Sequence, residues 1–170
     1  CMVMAQGRVA VLSVSGGAPL TVADSVRLGD APAWPDADHV LYSSSPGLMR
    51  VSGTGGAAEQ WTRPDTAAGE VYHLHPASVP GGRGTIFTTF PARLTQLTDA
   101  RIAWVGPSGG KHRVLMPGLA AHFAPPAHLL VTRMDGTIVA VPFDADAGRL
   151  TGPPVPIVSG LNVGAFSIVG

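Results

Sequence analysis

Short apolar runs broken by Gly, Pro, Asp and Ser fill this sequence, most clearly between Ala127 and Gly160. His128 to Arg133 and Thr137 to Phe143 are two β-forming runs that flank Met134-Asp135-Gly136. Asp-Gly suits a tight primed hairpin turn, because Gly tolerates positive φ and Asp approaches it. Asp144 to Gly152 reads as a longer polar turn, and Val155 to Val158 as a third strand. Pro153, Pro154 and Pro156 offer no ladder donors, which puts that strand on a sheet edge. The pattern predicts an antiparallel meander without a helical period.

The same signals continue along the chain. Gly7 to Val14 and Pro19 to Val22 predict strands around a Ser15-Gly16-Gly17 turn, the closing half of a sheet unit. Ala33-Trp34-Pro35-Asp36 opens the next unit, with strands at Val40 to Ser44 and Leu48 to Ser52. After the turn at Gly53-Thr54-Gly55-Gly56, Ala58 to Thr62 completes it. A further unit holds Tyr72 to Val79, Gly84 to Phe90, Arg101 to Val105, the turn Gly106 to Gly110, and His112 to Met116. Leu119 to Ala124 precedes the two strands described first, and Leu161 to Val169 resembles another opening strand.

Equivalent positions recur at a fixed interval. Pro35, Pro80 and Pro126 are separated by 45 and 46 residues, and Leu41, Ile86 and Leu130 by 45 and 44. A period of about 45 residues with four strands per unit is the signature of a β-propeller blade. The expected fold is therefore all-β, a partial propeller of about three four-stranded blades plus two partial ones. The blades fall at 30–66, 67–118 and 119–160, with the end of a preceding blade at 1–29 and the start of a next at 161–170. The second repeat alone carries extra residues, Pro91 to Ala100, expected as an exposed, mobile loop on a binding face. Propellers close with about four to eight blades, so this arc is expected to leave strand edges open to self-association.

The stretch "AHLLVTRMDGTIVAVPFDADAGRLTGPPVPIVSG" resembles the propeller repeat of the TolB-like, WD40-like (PD40) families. It is especially similar to the C-terminal propeller of bacterial serine/threonine kinases and related multidomain proteins. "AGEVYHLHPASVPGGRGTIFTTF", Ala68 to Phe90, resembles the preceding family blade at His73, Pro76 and Pro80-Gly81-Gly82-Arg83; His75 stands where the family has Trp. The resemblance implies a non-catalytic binding or sensory module of a larger bacterial protein, on the extracytoplasmic side of the membrane. It also implies a structural, channel-side role for His73 on an innermost strand. The alternative is the gating propeller of a prolyl-oligopeptidase-like serine hydrolase. No kinase signature lies in these 170 residues: neither a Gly-rich loop followed by a strand lysine nor a His-Arg-Asp loop.

Composition narrows the partners. The 22 glycines and 16 prolines favour turns and short strands over helices. Net charge is zero with no basic block, which argues against nucleic acid and anionic membranes as partners; the expected partner is a protein or peptide. One lysine beside ten arginines looks like GC-rich coding and carries no functional weight. The single cysteine, Cys1, excludes an internal disulfide. No charged start precedes an apolar core as in a signal peptide, and no apolar run reaches membrane-spanning length. The ends read as those of a fragment.

Candidate chemistry is sparse. Gly106-Pro107-Ser108-Gly109-Gly110 fits a nucleophile elbow, yet a strand rather than a helix is expected after it, so a hairpin turn is the reading. Gly53-Thr54-Gly55 likewise lacks the helix that phosphate binding needs. His73 and His75 stand two apart on a strand, on one side, where a third ligand from Glu70, His122 or His39 would make a zinc site. A structural role is preferred, because zinc motifs fix more ligands locally. Asp144-Ala145-Asp146-Ala147-Gly148 is half a calcium loop without its terminal Glu, and reads as an Asx-turn. Trp34, Trp61 and Trp104 are expected to pack between blades. No catalytic, cofactor or metal residue is assigned.

Overall fold

Side chains alternate across a strand, so a strand buried on both faces must serve two different neighbours. The computed structural model describes residues 2–5, 7–24, 26–27, 30–45, 47–91 and 97–163 and builds four antiparallel sheets on that rule. Strands β1 (Met2–Ala5), β2 (Arg8–Val11) and β3 (Leu20–Ala23) form the first, in that order. Strands β4 (His39–Ser44), β5 (Gly47–Ser52) and β6 (Glu59–Gln60) form the second, with Ala33 bridged to Leu41 beside β4. The third runs β10-β9-β8-β7, from β7 (Glu70–Ser78) through β8 (Thr85–Pro91) and β9 (Arg101–Val105) to β10 (His112–Pro117). In the fourth, β11 (Ala120–Ala124), β12 (His128–Thr132) and β13 (Ile138–Asp144) are followed by β14 (Arg149–Leu150) and β15 (Val155–Val158), both paired with β13.

Three apolar junctions join the sheets in chain order. Val9, Val22, Val40, Tyr42 and Val51 cluster between the first and second. Leu41, Leu48, Trp61, Phe87, Ala103 and Val105 cluster between the second and third. Ile86, Ile102, Leu129, Val131, Val139, Val141 and Phe143 do so between the third and fourth. Neighbouring residues thus point to opposite junctions: Val40 back and Leu41 forward, Phe87 back and Ile86 forward. In the fourth sheet Leu129 and Val131 point back. Leu130, paired with Ala140, lies on the forward face and is half-buried. The recurrence of Leu41, Ile86 and Leu130 is therefore the recurrence of one blade position.

Most turns follow from their sequence. A strand follows Ser108, the chain turning through Gly109 and Gly110 at φ 70° and 87°. Asp144 Oδ1 accepts from the Asp146 and Ala147 amides, an Asx-turn. Strand β15 is the Pro-bearing edge expected of it. Trp34, Trp61 and Trp104 pack at the first, second and third junctions respectively.

Several expectations change. In the hairpin after β12 only Gly136 takes positive φ, at 75°, so Asp135 keeps ordinary backbone and uses its carboxylate on the Thr137 amide. The first strand reading, to Val14, overshoots: β2 ends at Val11 and Val14 is exposed. Met2–Ala5 forms a further strand, paired antiparallel with β2. Ala58 to Thr62 contracts to Glu59–Gln60, because the Trp61 and Thr62 amides both turn back to Leu48 O. Of the extra segment Pro91 to Ala100, residues 92–96 lie outside the described residues. Its far end, Ala100, is buried beside Leu119, so the segment is anchored there. Most of the strand expected at Leu161 to Val169 also lies outside the described residues, while the Leu161 amide bonds Gly136 O. No helix of the described chain is long and apolar enough to cross a membrane.

Candidate functional site

A buried polar group lies at the junction of the second and third sheets, and Pro64-Asp65-Thr66-Ala67-Ala68-Gly69-Glu70 builds its entrance. Asp65 caps a 3-10 turn by accepting from the Ala67 and Ala68 amides at 3.1 and 3.2 Å. Gly69, in the left-handed region at φ 82°, ends the turn and starts β7. The Asp65 amide then donates to Glu70 Oε2 at 2.8 Å while the Glu70 amide bonds Asp65 O, so the carboxylate is fixed as β7 begins.

Three residues on, His73 is fully buried. Thr62 Oγ1 stands 2.7 Å from its Nδ1, and Glu70 Oε2 stands 3.2 Å from its Nε2. A ring that accepts from the Thr62 hydroxyl and donates to the carboxylate is the neutral Nε2–H tautomer. Thr62 Oγ1 in turn accepts from the Leu48 amide at 3.1 Å. His112 completes the group from the outermost strand, its Nε2 3.0 Å from both oxygens of Glu70. The turn before β10 brings it there, because the Gly110 amide bonds Trp61 O at 2.8 Å and Gly110 bridges Thr62 in parallel. The His73, Phe87 and His112 rings pack in a triangle, with His73 4.7 Å from Phe87 and 4.9 Å from His112, and those two 5.4 Å apart.

Burial by itself would raise the Glu70 pKa. The hydrogen bonds from His112, His73 and the Asp65 amide outweigh it, and the carboxylate stays ionised well below the usual range. His73 is held below the usual imidazole range by burial first, and also by charge on His112, against the opposing bond to Glu70. Beside this group opens a cleft of about 420 Å³ lined by Trp61, Arg63, Asp65, Lys111, His112 and Val114 among others. Arg63 and Lys111 are exposed there, with no ion-pair partner among the described residues.

The two histidines of His73-Leu74-His75 do not converge. A bulge between Leu74 and Ala77 puts His75 at φ 55°, in the left-handed region, and turns it away from His73. His75 instead meets Asp30: its amide lies 2.9 Å from both carboxylate oxygens and its Nδ1 2.9 Å from Oδ1. Ser43 Oγ also donates to Asp30, so its proton goes to the carboxylate and not to an imidazole base. His73 sits on β7, at the end of its sheet's strand order, and bonds Thr62 just beyond the second sheet. Of the third ligands considered, Glu70 reaches His73. His39 pairs with Asp36 on the surface, and His122 is exposed on β11. His112, 42 residues from Glu70, has no local sequence signal that links it to the pair. Among the described residues Glu70, His73 and His112 are the group whose donor atoms lie close enough to hold one metal ion, all within 4.8 Å.

Successive antiparallel meanders packed face to face in chain order define a β-propeller, here a partial one. Solved structures share that fold. The chain is similar to a calcium-binding protein, regucalcin, from Agrobacterium tumefaciens, with a TM-score of 0.68 and 17% identity over 93% of this chain. It is also similar to an ancestral GH74 enzyme, with a TM-score of 0.62 and 19% identity over 86% of this chain. It spans 54% of the regucalcin chain and 22% of the GH74 chain. No family model matches the sequence, and no curated protein matches it significantly.

Proposed function

We propose that the chain is a non-catalytic propeller module that binds a protein or peptide segment within a larger bacterial multidomain protein, such as a serine/threonine kinase. The blades at 30–66 and 67–118 then form the recognition surface between them. The observation that carries this reading is the 420 Å³ cleft at their junction. It offers an apolar wall at Val114 and two exposed cations, Arg63 and Lys111, whose neighbour Asp65 is already engaged in capping. An extended segment with an acidic residue beside an apolar one matches that lining. The kinase context rests on the resemblance of Ala127 to Gly160 alone.

The test is selection of displayed peptides on the immobilised chain, followed by affinity measurement on wild type and the Arg63→Glu/Lys111→Glu double variant. Selected peptides should be enriched in Asp and Glu and bind the variant at least about tenfold more weakly, the size of a desolvated charge reversal. Peptides without acidic enrichment, or equal binding to both proteins, would refute the cleft as the recognition site.

A further inference from the structure

We infer that Glu70, His73 and His112 form a three-ligand site for a dication of the zinc class, with its remaining position reached from the cleft. This goes beyond the binding reading and does not rest on it. The donor set is two imidazoles and a carboxylate, the borderline nitrogen-oxygen set that zinc takes when it keeps one position open. Its spacing is close to that of an assembled site. Bonds of about 2.0–2.1 Å in a tetrahedron set neighbouring donors about 3.3 Å apart. The Glu70 oxygens stand 3.2 Å from His73 Nε2 and 3.0 Å from His112 Nε2. The third edge is bounded by 4.8 Å, so closure on an ion requires little more than the two rings drawing together.

The surroundings hold the donors in place. Thr62 Oγ1 sits on His73 Nδ1, which leaves Nε2 as the atom turned to the carboxylate. The Asp65 amide fixes one oxygen of Glu70. Such outer contacts are what orient metal ligands. Binding needs no net loss of a proton from His73: its proton passes from Nε2 to Nδ1 and is donated to Thr62 Oγ1. That hydroxyl can accept it together with the Leu48 amide, since it has two lone pairs, and its own proton rotates away. Glu70 and His112 both line the cleft, which provides the entry path.

The same three side chains form a complete hydrogen-bonded clamp without an ion, and the experiment separates the two. His112→Gln keeps a side-chain donor for Glu70 and removes a zinc ligand. Chelator-washed wild type and variant are titrated with Zn²⁺ alone, by calorimetry and by elemental analysis after dialysis, and melted with and without it. Wild type should take up one equivalent and melt about 5–10 °C higher at a hundredfold excess over Kd. The variant should fold, melt like metal-free wild type, and take up none. Uptake by both proteins, uptake without a rise in melting temperature, or none by wild type would each overturn the site. Should His112→Gln not fold, His112→Asn serves as the second variant. Should neither fold, the absorption of Co²⁺-loaded wild type decides: a tetrahedral spectrum supports the site and an octahedral one overturns it.

Discussion

Replacing Thr62 with valine removes one hydroxyl at nearly constant volume and so tests the polar half of the junction between the second and third sheets. That oxygen bonds the Leu48 amide at 3.1 Å and His73 Nδ1 at 2.7 Å, and all three residues are at most 1% exposed. Valine leaves both partners buried and unpaired. Each such group costs about 1–3 kcal/mol, so the variant should lose about 2–6 kcal/mol. Thr62→Ser keeps the hydroxyl and gives up one methyl group, about 1 kcal/mol. For a chain of this size each kcal/mol lowers the midpoint by about 2–4 °C, so valine should lower it by roughly 4–24 °C and serine by about 2–4 °C. Urea and thermal unfolding followed by tryptophan fluorescence measures both, with Trp61 adjacent to the change. A valine variant as stable as wild type, or more stable than the serine variant, would show that the hydroxyl does not bridge the sheets.

Gly148→Ala should cost about 2–5 kcal/mol in urea unfolding, because its φ is +58° and a Cβ there would overlap the Trp104 indole. Gly55→Ala, at φ +87° with open space around it, should cost only the backbone part, about 1–2 kcal/mol. Burial, with Asp24 adding to it, raises the Tyr42 pKa, so the unfolded chain ionises first and stability should fall as the pH rises past about 10. Tyr42→Phe should remove that alkaline loss when unfolding midpoints are compared across the alkaline range. Strand β15 exposes Val155, Ile157 and Val158 along a sheet edge, so the chain should associate with rising concentration. Ile157→Lys should suppress this in light scattering; a monomeric wild type would refute the edge as a contact.

The strands were legible because two-residue alternation and turn chemistry are local. Leu41, Ile86 and Leu130 mark one blade position through spacing alone, and Gly136 and Asp144 mark their turns. The Glu70–His73 pair was also within reach, since both lie at the start of one strand. His112 was not, because its place at Glu70 depends on the Gly110 amide docking on Trp61 O, a contact between sheets. The separation of His73 from His75 was hidden for a different reason. Alternation predicts one face, and a bulge with a histidine at positive φ breaks that rule. Asp30, which bonds Ser43 13 residues on and His75 45 residues on, has no flanking motif of its own.

The serial packing of the sheets bears on how the chain acquires its structure during synthesis. Each meander docks on the one made before it, so a finished surface awaits every new blade as it leaves the ribosome, and no long loop has to close. The cluster at Glu70 is assembled in two stages on this schedule. Thr62, the Asp65 amide, Glu70 and His73 emerge close together, whereas His112 follows Glu70 by 42 residues. At about 5–20 residues per second the carboxylate waits roughly 2–8 s for its second imidazole. During that interval the Asp65 amide and His73 hold the Glu70 charge, and the arrival of the outermost strand of the third sheet latches it.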